Sequence, residues 1–280
     1  MAAIQWADGG KPKKWLIAAL FVFLAVLFVT ILYSRRDVSI VEKHQPENSF
    51  KKQRDTLSRE LNKLKMLFGQ QNCELMKRDQ RSDGVSEFGG WCAEISAPGS
   101  SKHHWDKTFS TALSAYLAGK TVGSFGEGPG AYKTHMDTLG QVTSYTAYDG
   151  APFVESVTDG KVKFLDLTSP QYGLPIFDWV ISVEVGEHIP PQFEDIYLDN
   201  LVRHAREGLI LSWGKPGQMG LSHVNNKPLT EVIAQLNKRG FHIVPEDGQH
   251  LREAASVFWL KDNIQVYKRT SPSSLVPEDA

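Results

Sequence analysis

Hydrophobic and polar positions follow three different rhythms along this chain. From Trp15 to Tyr33, nineteen residues run without a charge, and an aromatic stands at each end. At about 1.5 Å rise per residue such a helix spans roughly 28 Å, close to the hydrocarbon thickness of a bilayer, with its rings at the interfaces. Tyr33-Ser34-Arg35-Arg36 follows instead of the small residues of a cleavage site. The pattern therefore predicts an uncleaved transmembrane anchor over 15–33, behind a short N-terminal tail over 1–14. Residues 34–80 are polar and charged, and within them Leu57, Leu61, Leu64 and Leu67 fall on one helical face. This stretch is expected to be a helical stalk. Two readings of the leucines stay open: a short coiled coil forming a homodimer through the stalk, or a solvated helix lying on its own domain.

Beyond the stalk the expected domain covers 81–270, with a flexible tail over 271–280. From Thr121 onward a two-residue period alternates with a helical one. Strands are expected at Thr121–Gly126, Ser144–Asp149, Lys161–Leu167, Phe177–Val185 and Gly208–Trp213. Helices fall between them at Ala131–Leu139, near Phe153–Val157 and at Gln192–Ala205. Thr230–Arg239 is a further helix with Gly240 at its C′ position, and Phe241–Val244 and Val257–Lys268 close the domain. Such β-α repetition means a mostly parallel sheet with helices on both faces. The short connection between the last two strands points to antiparallel pairing there.

Composition narrows the class. Basic and acidic residues nearly cancel, 31 against 32, so no nucleic-acid partner is expected. The only two cysteines are Cys73 and Cys92, at the ends of a Gly-, Asp- and Arg-rich segment. Either they form a disulfide, as suits an oxidising compartment, or they are two unrelated thiols. Lysines at 11, 13 and 14 give a slight vote for a cytoplasmic N-terminus, which places the domain in the lumen of the ER or Golgi.

The candidate chemistry sits at the carboxyl ends of the expected strands. Gly126-Glu127-Gly128-Pro129-Gly130 follows a strand and opens a helix, where backbone can approach a ligand and free N–H groups are exposed. The second strand ends in Asp149, a group suited to ribose hydroxyls. The third ends in Asp166-Leu167, suited to an adenine amino group. Two acids in this order after a Gly-rich turn point to an adenosine crevice.

Gly126-Glu-Gly-Pro-Gly130, then Tyr148-Asp-Gly150, then Phe177-Asp-Trp-Val-Ile-Ser-Val-Glu-Val-Gly-Glu-His-Ile-Pro190 resemble the class I S-adenosylmethionine-dependent methyltransferases in order and spacing. The likeness runs over about 105–268. The Gly89-Gly90-Trp91-Cys92 segment is more loosely similar to the entry segment of some membrane-anchored methyltransferase-like proteins. The resemblance implies a three-layer Rossmann-like α/β sandwich with a mostly parallel seven-stranded sheet and an antiparallel last strand, following one transmembrane helix. It also implies S-adenosylmethionine as cofactor. Gly126, Gly128 and Gly130 would then pack against its amino-acid part, Asp149 take the ribose, Asp166 and Leu167 the adenine, and Val183 and Glu184 border the methionine end. One position departs from the pattern: an acid normally stands two residues before the first glycine, and here it is Ser124. Recognition of the amino group would then fall to backbone carbonyls, water or Glu127.

Methyl transfer needs mainly alignment, and a hydroxyl or amine acceptor also needs a base. Glu187 and His188, just after the fourth strand, and His223, on the loop after the fifth, are the candidate catalytic residues. That loop, 214–228, is long enough to cover a substrate. Glu187, His188 and His223 could converge on a metal, but nothing in their spacing demands it and none is expected. The methyl acceptor is unidentified. Two rivals remain. A membrane-anchored glycosyltransferase would carry an Asp-x-Asp motif, and none occurs. A non-catalytic interaction protein that kept the fold is kept open by Ser124.

Overall fold

In the computed structural model, residues 48–79, 85, 90–92 and 103–270 are described. The anchor expected over 15–33 and the tails over 1–14 and 271–280 lie outside them. Among the described residues no helix is long and apolar enough to cross a membrane.

The described elements are helix α1 (48–78), α2 (Lys107–Tyr116), β1 (Thr121–Phe125), α3 (Ala131–Leu139), β2 (Ser144–Asp149), α4 (Val154–Val157), β3 (Val162–Phe164), β4 (Phe177–Ser182), α5 (Glu194–His204), β5 (Ala205–Leu211), α6 (Leu229–Lys238), β6 (Phe241–Ile243), α7 (Pro245–Ala254), α8 (Leu260–Asn263) and β7 (Gln265–Arg269). They build one seven-stranded sheet in the order β3-β2-β1-β4-β5-β7-β6. β1 pairs parallel with β2 and β4, and β7 runs antiparallel to both β5 and β6. This is the mostly parallel α/β sheet with an antiparallel last strand that the resemblance implies.

Strand β4 explains the layering. Trp179 and Ile181 enter a core with Phe109, Leu113, Met136 and Leu251, whereas Phe177 and Val180 enter a second core with Tyr197, Leu201, Trp213 and Leu236. Both faces of the strand are thus covered, which is why it reads as a continuous apolar run. The chain order reverses between β1 and β4. Helices after β1 and after β4 therefore leave on opposite faces, and a crevice opens at the carboxyl ends of these two strands.

Several expected boundaries need correction. Lys161–Leu167 carries only the three-residue strand β3, because Asp166 turns the chain immediately afterwards. Val257–Lys268 is not one strand: it holds a loop, the one-turn helix α8 and then β7. The connection from β6 is also not short, since α7 begins at Pro245 with Glu246 and Asp247 in its first turn, a strong helix start. Helix α2 precedes the first expected element. Asp106 caps it by accepting from Phe109 N at 3.0 Å, and its other oxygen accepts from Ser256 N and Val257 N.

The compact unit that carries the sheet begins at Arg54, inside the 34–80 stretch expected as a stalk. From that residue α1 lies on its own domain, but not through its leucines. Asn62 Nδ2 donates to Phe164 O and Asn62 Oδ1 accepts from Asp166 N, while Gln70 donates to Pro152 O. Ser58 bridges Pro170 O and Tyr172 N. These bonds satisfy loop backbone groups beside the β3 edge, which burial would otherwise leave unpaired. Leu57, Leu61, Leu64 and Leu67 face away and stay 41–70% exposed. At the far end of α1, Cys73 is disulfide-bonded to Cys92.

Candidate active site

A cleft of ≈ 860 Å³ opens at the carboxyl rim of the sheet, over the crossover between β1 and β4. Its floor begins where β1 ends. Gly126, Gly128 and Gly130 take φ of +93°, +67° and +86°. Only glycine adopts such angles without strain, so the chain can double back and open α3. A Cβ at Gly126 would also collide with the Val185 side chain. Gly126 and Gly128 line the cleft. Gly130 does not; it is the left-handed N-cap of α3, and a Cβ there would press on Val162.

Asp149, at the end of β2, lines the same cleft. Its Oδ2 accepts from Gly128 N at 2.7 Å and its Oδ1 from Ala151 N at 2.8 Å, so the acid locks the glycine turn while keeping further lone pairs for a ligand. Burial raises its pKa, and the two N–H bonds oppose that shift. Asp166 and Leu167 also line the cleft. Asp166 is more committed. It accepts from Thr168 N, Thr168 Oγ1 and Ser169 Oγ, and Lys65 Nζ stands 3.7 Å away. These bonds shape the turn after β3.

Ser124 meets Glu127 directly. The Ser124 hydroxyl donates to Glu127 Oε2 at 2.6 Å and the Tyr145 hydroxyl donates to the same oxygen at 2.9 Å. Glu127 Oε1 accepts from Lys133 N in the first turn of α3. The carboxyl group thus stands directly beside the position where the related pattern has its acid. Burial pushes its pKa up to about 7, against the pull of these three donors.

After β4 the chain passes through Val183 and Glu184, both lining the cleft. Glu184 takes φ +56°, a strained angle for a side-chain-bearing residue. Its carboxylate is held by Asn263 Nδ2 and Gln218 Nε2, and its N–H donates to Ser212 Oγ. A single 3₁₀ turn, Gly186–His188, then delivers Glu187 and His188 to the rim. The long loop after β5 folds back onto it, because the Glu187 carbonyl accepts from both Val224 N and Asn225 N. That fold brings His223 to His188, with ring centroids 5.0 Å apart. One ligand-capable atom from each of Glu187, His188 and His223 lies within 4.8 Å of the others. Burial, then the neighbouring His223, lowers the His188 pKa to about 4, so the ring is neutral at pH 7.

An aromatic wall completes the cleft: Trp91, His103, His104 and Trp105 come from segments outside the expected repeats, and Trp259 from the expected closing segment. Trp91 stacks on His103 at 4.3 Å and meets His188 edge-on at 5.8 Å. The run His103-His104-Trp105 is the sequence signal for this wall. At the mouth, Met219 and Phe258 are 95% and 74% exposed.

No family profile and no curated protein matches the chain. Among solved structures it is similar to magnesium protoporphyrin IX methyltransferase from Synechocystis PCC 6803 with bound SAH, at 17% identity, covering 58% of this chain and 83% of that one, with a TM-score of 0.44. It is also similar to the 1,6-didemethyltoxoflavin-N1-methyltransferase of Burkholderia thailandensis, at 16% identity, 59% and 79% coverage and a TM-score of 0.40. An amino pentose methyltransferase from Micromonospora echinaspora, SAM-bound, is similar at 11% identity, 57% and 90% coverage and a TM-score of 0.44.

Proposed function

We propose that the chain binds S-adenosylmethionine in the cleft at the β1–β4 crossover and transfers its methyl group to an acceptor entering over the loop after β5. The observation that carries this reading is the convergence on one cleft of the glycine turn, Asp149, Asp166 and the Val183–Glu184 rim. The residues fit such a cofactor. The volume lies within the range of small-molecule sites, Gly126 and Gly128 line the cleft without side chains, and Asp149 keeps lone pairs for ribose hydroxyls. Glu127, seated on Ser124, supplies the negative charge that a cationic amino group requires.

When bound, the cofactor supplies a methyl carbon on a sulfonium, so the bond to the acceptor forms as the carbon–sulfur bond breaks and the electron pair stays on sulfur. The protein's work is alignment and exclusion of water. Glu187, His188 and His223 form the acceptor end of the cleft, beside the reacting centre. We further propose that residues 15–33 anchor the chain in a bilayer, with the N-terminus cytoplasmic and the catalytic domain in the ER or Golgi lumen. The Cys73–Cys92 bond supports that orientation, because disulfides persist in oxidising compartments.

Isothermal titration of the full-length chain in detergent tests the central reading. Saturable binding of S-adenosylmethionine is expected, with none of NAD or a nucleotide sugar. Asp149→Ala should weaken it by about 10-fold or more, the worth of hydrogen bonds to a charged group. Absence of heat with S-adenosylmethionine sinks the proposal. Radiolabelled methyl transfer into protein, glycan and small-molecule fractions would then identify the acceptor.

A further inference from the structure

We infer that Glu187, His188 and His223 form a binding site for one divalent transition-metal ion at the acceptor end of the cleft. The first support is Glu187. Its side chain is fully buried and lines the cleft, no hydrogen bond of good geometry reaches either carboxylate oxygen among the described residues, and the Gly214 N–H and the like-charged Glu184 carboxyl group stand beside it. A buried carboxylate left this way is costly unless a proton or a cation neutralises it. The second support is the set of neighbours. His188 Nδ1 lies 3.2 Å from Ser222 O, and His223 Nδ1 lies 3.2 Å from Gln218 O. A carbonyl can only accept, so in each bond Nδ1 carries the proton and Nε2 keeps its lone pair. Metal-ligating histidines are oriented in this way by a backbone carbonyl on the other ring nitrogen.

The geometry fits one ion. One ligand atom from each of the three residues lies within 4.8 Å of the others. Donors about 2.0–2.2 Å from a common tetrahedral ion stand roughly 3.3–3.6 Å apart, so the three side chains would draw together by about 1 Å on binding, an adjustment that side-chain rotation can supply. The outer contacts are built too. Gln218 receives His223 on its carbonyl and steers Glu184 with its amide, and Asn226 Nδ2 donates to that same carbonyl. Two imidazoles and a carboxylate select zinc, manganese or iron over calcium or magnesium, and three protein ligands leave open positions toward the cleft. An oxygen-bearing acceptor, such as a hydroxyl or a vicinal diol, would fill those positions, and coordination would acidify its O–H. The ion site stands on the three side chains alone. Its role in activating an acceptor rests on the methyl-transfer reading.

The test uses the full-length chain in detergent, stripped with EDTA, dialysed and titrated with CoCl₂, then with ZnCl₂ in competition. One Co²⁺ per chain is expected to give visible d–d absorption that Zn²⁺ displaces. Glu187→Gln and His223→Gln should each abolish that spectrum and weaken Zn²⁺ by more than the roughly 10–100-fold that loss of an outer partner costs a metal site. Thermal melts run alongside show whether each variant folds, and His223, on a loop, serves if Glu187→Gln does not. No spectrum with the unmodified chain, or the same spectrum in a folded His223→Gln, overturns the ion site. S-adenosylmethionine titrated into the stripped protein separates the two readings. Cofactor binding without Co²⁺ binding overturns the ion alone. Co²⁺ binding without cofactor binding keeps the ion site and removes methyl transfer.

Discussion

In the proposed cofactor site, Glu127 would stand in for the acid that the chain lacks at Ser124. A buried carboxyl group with its pKa near 7 is half-charged at neutral pH, so two opposite pH dependences follow. Cofactor affinity, which needs the anion, should rise as pH increases from 6 to 8. Stability should do the reverse. The folded-state pKa lies above the value of about 4.3 that a glutamate has in an unfolded chain, so the stabilisation is complete below that value and is lost as pH rises through 7. About 4 kcal/mol is involved, since each tenfold change in proton affinity is worth about 1.4 kcal/mol. Glu127→Gln should flatten both trends and weaken binding at pH 8 about 10-fold or more. Calorimetric titrations and thermal melts across this range check both signs; parallel pH profiles for the variant and the unmodified chain would remove Glu127 from amino-group recognition. At this scale Asp149 was legible because its place after a glycine turn has a single geometric consequence. The fate of Asp166 was not, because the Thr168 and Ser169 hydroxyls that engage it follow it as ordinary turn residues.

At the scale of elements, the glycine turn separates conformation from contact. Gly126→Ala combines a left-handed φ with a collision against Val185, whereas Gly119, at φ +74°, has nothing within 4 Å of a new Cβ. Gly119→Ala should therefore cost only the backbone contribution, ~1–2 kcal/mol, or roughly 2–8 °C of melting temperature for a domain of this size. Gly126→Ala should cost more and should also abolish cofactor binding, because the turn must open to admit the methyl group. Equal melting temperatures for the two variants would show that Val185 yields freely. The same contrast explains which elements were legible. β4 and β5 carry continuous buried apolar runs and are unmistakable, whereas β1 and β2 mix Thr, Ser or Gly with their apolar residues and are marked by their place in the repeat. β3 sits at the sheet edge and is cut to three residues by the Asp166 turn. Helices α2 and α7 carry sound start signals, Asp106 and Pro245-Glu246-Asp247, but lie outside the strand-led repeat that marks the domain. The leucines of α1 marked its helical period correctly while pointing away from the face that docks, because that face uses Ser58, Asn62 and Gln70 to satisfy loop backbone rather than to bury apolar surface.

For the whole molecule, the Cys73–Cys92 bond links the fold to the compartment. It ties the end of α1 to the segment that carries Trp91 into the cleft, so it supports the site as well as the chain. Closing a loop of 19 residues in the unfolded state is worth about 3 kcal/mol in the chain-entropy view. Reduction should lower the melting temperature by roughly 6–12 °C for a domain of this size. A cytosolic glutathione pool would keep such a pair reduced, which makes the bond and the proposed lumenal domain stand or fall together. Both can be read in one preparation. In sealed microsomes carrying the chain with a C-terminal epitope, the epitope should resist added protease until detergent is present. Cys73 and Cys92 should accept a maleimide–polyethylene glycol tag only after reduction. An epitope digested in intact vesicles reverses the topology, and thiols that react without reductant remove the disulfide as its support. If protection and oxidation are both found, the methyl donor must cross the membrane to reach the site, so an S-adenosylmethionine carrier in the same membrane becomes a requirement of the mechanism.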